Sequence, residues 1–131
     1  MMVPNHYNIF GQVDGWGERG FLWLLPLLAL IFYITVSLLC KYYYKSFNYH
    51  VKITDLNANS VYTIGVRMLR YLKLFVILIF GYINNTFFAI AMGKESYLNA
   101  FVVIILFCGL FLTMFFHYVE MKKTQKYIIQ L

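Results

Sequence analysis

The side chains with the widest chemical repertoire crowd into the start of the chain. Residues 3–21 read VPNHYNIFGQVDGWGERGF and hold His6, Asn8, Asp14 and Glu18. One imidazole with two carboxylates suits either a hydrogen-bonded pair or a cation, but this spacing matches no recognised zinc or calcium ligand set. Two readings therefore stand. His6 bonds Asp14 and pins the segment as structure, or these groups take up a ligand or a metal. The sequence assigns no metal and no cofactor, and no nucleophile–base pair accompanies these residues, so it points away from an enzyme. Asp14-Gly15 is a turn signal, and Gly11, Gly15, Gly17 and Gly20 open backbone conformations that other residues avoid.

The remaining polar candidates sit inside apolar blocks. Asn84, Asn85 and Thr86 fall in the middle-to-outer part of one block and Asn99 near the outer end of the next. Their plain role is hydrogen bonding between helices; the alternative is a polar lining for a small solute. No Asp, Glu, Lys, Arg or His lies within 21–40, 74–92 or 98–116. That argues against a pump, a proton-coupled transporter or an intramembrane carboxylate dyad, since buried ionisable groups mark such machinery. His117 stands alone at a block's edge, which does not suffice for haem. Cys40 and Cys108 read as small apolar residues rather than a redox pair or a metal site.

The elements that must position these residues follow from composition. Of 131 residues, 62% are apolar and 12% charged, against about 45–50% and about 25% in soluble domains. Three charge-free blocks, 21–40, 74–92 and 98–116, are each long enough as helices to cross the ~30 Å hydrocarbon layer. The fold class is an all-α integral membrane protein with three transmembrane helices plus a juxtamembrane amphipathic helix. It is a single membrane domain over 1–131: an outer motif loop 1–20, a linker 41–73 and a tail 117–131 complete it. Pro26 leaves a backbone acceptor free and permits a kink in the first span.

Charge orients these spans. Nine of the eleven Lys and Arg residues lie in 41–73 and in the tail, which places both in the cytoplasm and the motif loop outside. Trp16, Trp23, Tyr42, Tyr43, Tyr44, Tyr97, Tyr118 and Tyr127 fall near the expected interfaces, where amphipathic rings settle. Basic residues beside apolar blocks thus read as topology, with no nucleic-acid partner. Within the linker, Thr54-Asp55 looks like a helix start with Asn57 at the capping-box position. Val61, Ile64, Met68 and Leu72 then recur at helical steps, while Arg67, Arg70 and Lys73 are placed for lipid head groups. Gly81 and Gly109 suit close helix approach, within the chain or to a second copy.

The string Pro4-x-His6-Tyr7-Asn8-x-x-Gly11-x-x-Asp14-Gly15-Trp16-Gly17, followed by a hydrophobic helix with an early proline, resembles a bacterial membrane domain of unknown function. That domain also opens SdpI-type immunity and signalling proteins. The family pattern reads P-x-H-x-N-x-x-G-x-x-D-G-x-G-S/N-K. Glu18-Arg19 stands in place of its last two positions, keeping a basic residue at Arg19. The linker's Val51-x-x-Thr54-x-x-Asn57 start and the two closing spans agree in layout. Family members carry a transmembrane helix before the motif, whereas here the motif begins at Pro4; a shortened chain and a three-span variant are both expectations. The resemblance implies a small protein of the bacterial inner membrane. It implies a non-enzymatic binding, regulatory or immunity-like module, working through the motif loop with lipid, a protein partner or a second copy. A subunit of a small-solute transporter or channel, with a polar track through Asn84, Asn85 and Asn99, is the alternative.

Overall fold

A computed structural model describes residues 2–129, with side chains described through Lys126, so Tyr127 lies outside the described side chains. Strands β1 (Met2–Tyr7) and β2 (Val13–Glu18) precede three helices: α1 (Leu24–Leu38), α2 (Ala58–Ala91) and α3 (Ala100–Ile129). A 3-10 turn, Arg19–Trp23, leads into α1. A π turn, Leu39–Tyr43, and a 3-10 turn, Tyr44–Ser46, extend it, giving a helical run Arg19–Ser46. Among the described residues three helices are long and apolar enough to cross a membrane, and the chain is a multi-pass membrane protein.

The helices adopt their faces because lipid, unlike water, does not penalise exposed leucine or phenylalanine. In the most apolar part of the first helical run only 6% of residues are buried, and in that of α3 only 11%. α2 is the central element: α1 and α3 each pack against it. Gly109 of α3 admits Phe75 of α2, since a Cβ there would stand 2.9 Å from the ring. Gly81 has no heavy atom within 4 Å of such a Cβ and stays open. Lys73 Nζ donates to Ser37 Oγ at 2.8 Å and lies 4.1 Å over the Tyr33 ring, joining α2 to α1. Arg67 meets Glu120 at 3.3 Å, joining α2 to α3.

At 34 residues, α2 is about 51 Å long, well beyond the ~30 Å hydrocarbon layer. The amphipathic stretch and the second span are therefore one helix. Where α2 and α3 overrun the layer, the linker folds back on them. Val51, Val61, Ile64 and Met121 form a buried cluster there, with Tyr49, Ile53 and Met68 against it. The helix starts at Ala58, three residues later than Thr54-Asp55 suggests. Asn57 nevertheless reaches back as a capping-box side chain does, accepting from Thr54 N at 2.8 Å. Its Nδ2 also donates to the Lys52 carbonyl at 3.0 Å, so this buried amide ties the linker to the helix.

Two sequence expectations change, and the position of Pro26 is now fixed. The outer segment is a β-hairpin, not a loop, because its glycines make room for neighbouring side chains. Pro26 is the third residue of α1, just past the point where the 3-10 turn passes into the α-helix. Asn99 precedes α3 and its Oδ1 accepts from Phe101 N at 3.1 Å; it caps the helix rather than lying within it.

Candidate functional site

Strands β1 and β2 pair antiparallel, with Val3 opposite Gly17 and Pro4 opposite Trp16. Pro4 lacks an N–H, which a two-stranded edge tolerates. Val3 and Pro4 are fully buried, and β1 packs on α2, where Tyr7 meets Phe87 with ring centroids 5.2 Å apart. The register slips around Asn5, and the Asn5 amide occupies the space two glycines leave open. A Cβ on Gly15 would stand 2.7 Å from Asn5 Oδ1, and one on Gly17 2.8 Å from its Nδ2. Asn5 is a site residue the motif reading missed. The spacing of Gly15 and Gly17 on one strand face was its only signal.

The turn is built on Asn8. Its Oδ1 accepts from Phe10 N at 2.9 Å and Gln12 N at 3.0 Å, and its Nδ2 donates to Gln12 Oε1 at 2.9 Å. The side chain thus closes the turn on the backbone two and four residues ahead. Gly11 has φ +78°, and a Cβ there would fall 2.0 Å from the Leu98 carbonyl oxygen. In return Leu98 N donates to Gly11 O at 2.8 Å, and Gln12 bridges Tyr97. The hairpin is therefore fastened to the α2–α3 connection, which no local pattern foretells.

This locked turn presents an apolar tip. Ile9 is 87% and Phe10 74% exposed, beside a shallow cleft of about 330 Å³ lined by Tyr97, Leu98, Phe101 and Ile104. Trp16 is exposed on the neighbouring strand. Below the tip His6 Nδ1 and Asp14 Oδ1 meet at 2.5 Å, with 72% and 43% of the side chains exposed. The geometry thus contains the His6–Asp14 pair as drawn from sequence. Glu18 lies four residues along β2, about 13 Å from Asp14 at ordinary strand rise. Asn8 is committed to the turn. Among the described residues no group of three His, Cys, Asp or Glu side chains converges for a metal.

Burial holds the Tyr7 phenol neutral, with its pKa pushed up to about 12, and its hydroxyl has no hydrogen-bond partner. Asn84, Asn85 and Thr86 stand on α2, and Asn99 precedes α3. The three on α2 are consecutive, half-buried, exposed and buried in turn, whereas Asn99 sits off the helices with its carbonyl accepting from Tyr82 at 3.3 Å. Asn84 Oδ1 is buried without a partner. At the opposite end His117 is buried on α3, its Nδ1 bonded to the Thr113 carbonyl at 2.7 Å and its ring 5.3 Å from Tyr71. Arg67 and Lys73 are engaged with Glu120 and with α1, while Arg70 is exposed.

Compared with known families, residues 1–30 match the model described as a domain of unknown function, DUF1648. The matched stretch holds the whole hairpin and the first turns of α1, so the resemblance carried by Pro4–Gly17 has an independent counterpart. No curated protein and no solved structure matches the chain.

Proposed function

We propose that this multi-pass protein is a non-enzymatic recognition module of the bacterial inner membrane. Its hairpin faces outward, and the basic linker and C-terminus lie in the cytoplasm. The observation that carries this reading is the tip: two large apolar side chains held exposed by a turn whose every strut is spoken for. Exposed apolar groups on a fixed scaffold mark contact surfaces, and a pre-ordered turn loses little entropy on binding. The His6–Asp14 pair beside the tip adds a charged, hydrogen-bonding rim.

The sharpest form of the reading is immunity-like sensing of a secreted peptide, with the cytoplasmic side relaying occupancy to a protein partner. Arg70 reaches anionic head groups, while Arg67 and Lys73 hold the helices together at the same level. A photo-crosslinking residue placed at Phe10 in living cells tests recognition. The expected outcome is an adduct with a peptide or protein that is lost when Gly11→Val unlocks the turn. Adducts with lipid alone would refute it. In the immunity form, His6→Ala or Asp14→Ala abolishes protection in a growth assay while membrane abundance is unchanged.

A further inference from the structure

An apolar cavity lies at the other end of the molecule, far from the hairpin. It has a volume of about 540 Å³, within the range of small-ligand pockets. Its walls come from the linker, α2 and α3 and are almost wholly apolar, including Phe47, Met68, Leu69, Met114 and Met121. Three methionines give a lining that adapts to a flexible guest. On one side the lining continues to Phe111 and Phe115, 66% and 65% exposed on the lipid-facing surface of α3, so a hydrocarbon tail has a lateral way in.

On the other side the lining ends at Tyr118 and His50, whose rings meet edge-on at 6.3 Å. Lys122 Nζ stands 5.7 Å from the Tyr118 ring centroid, and Lys45 and Lys52 flank the lining residues Phe47 and Val51 in the chain. The acidic residues of this end do not cancel that charge. Glu120 is tied to Arg67, and Asp55 is exposed in the turn before α2. A greasy slot open to the bilayer, with cations where it leaves the bilayer, is complementary to one class of molecule.

We infer that this cavity binds the acyl chain of an anionic phospholipid, with the head group at Lys122 and His50. The apolar walls take the tail irrespective of head group, and the basic rim selects for negative charge. Native mass spectrometry of the full-length protein in detergent tests this with phosphatidylglycerol and phosphatidylcholine of identical acyl chains. The wild type retains phosphatidylglycerol at least about fivefold over phosphatidylcholine, the scale set by one interfacial lysine. Lys122→Ala combined with His50→Ala brings the ratio near unity and leaves tail binding intact. Met114→Trp, which fills the cavity, lowers retention of both lipids together, with helicity by circular dichroism as the folding control. Equal retention of the two lipids by the wild type overturns the inference. So does an unchanged ratio in the rim variant, whose surface substitutions leave the fold in place, or full retention by a folded Met114→Trp protein.

Discussion

The two ends of this molecule are built by opposite means. At the hairpin end shape comes from backbone and small polar groups: Asn8 closing the turn, Gly11 against Leu98, and Asn5 in the gap left by Gly15 and Gly17. At the basic end shape comes chiefly from apolar burial, with Val51, Val61, Ile64 and Met121 in one cluster, and the buried amide of Asn57 ties the linker to α2. The first end displays greasy side chains, Ile9 and Phe10, on a polar frame. The second hides them behind a cationic rim. A surface built for contact needs fixed backbone and free side chains, whereas a slot for hydrocarbon needs the reverse.

That contrast is broken most severely at Gly11. Gly11→Val forces a branched residue into a left-handed backbone and into the Leu98 carbonyl, a cost of about 3 kcal/mol from the backbone and overpacking terms together. Hydrogen exchange at the Leu98 amide should accelerate about a hundredfold, while Val61 and Ile64 keep their protection. Next in size is Asn57→Ala, which strands Thr54 N and the Lys52 carbonyl at a buried site and should cost about 2 kcal/mol. Thermal unfolding in detergent should register that loss, with hairpin exchange unaltered. If either variant loosened both ends alike, the ends would not be separate constructions.

Tyr7→Phe is the mildest and has the opposite sign. It deletes a buried hydroxyl that has no partner, so a gain of up to about 1 kcal/mol is expected. Alkaline titration sharpens the same point. Burial raises the phenols of Tyr7 and Tyr49 from 10.0 to about 12. A raised folded value means full stability below pH 10, drained as pH climbs from 10 toward 12. Tyr7→Phe should remove the hairpin's share of that loss and leave the linker's, where Tyr49 lies against Gly65. Equal alkaline sensitivity in wild type and variant would remove Tyr7 from the explanation.

The three spans were legible because lipid imposes a composition that no other solvent does, and the residues Val51, Thr54 and Asn57 announced the start of α2 to within a turn. Asp14 and His6 could be paired by chemistry alone. The hairpin itself was not legible: VDGWGE and MVPNHY lack the alternation and β-branched run that signal strands. What makes them strands is room for Asn5 and docking on α2. The partners of Arg67 and Lys73 lie 53 and 36 residues away in the chain, so both read as lipid-facing until the helices are assembled. Gly11 was visible as a turn glycine, but its contact with Leu98 belongs to the tertiary fold.

The docking of the hairpin, and the outward side proposed for it, are tested most directly by one engineered disulfide. Gln12 and Tyr97 pair across the hairpin and the α2–α3 connection; both are changed to cysteine, with Cys40 and Cys108 replaced by serine. Cysteines this close join without added oxidant on the oxidising side of the membrane. A single intramolecular disulfide in protein taken straight from cells is the expected result. Two thiols that stay reduced, in cells and after copper-catalysed oxidation of the purified protein, would contradict it.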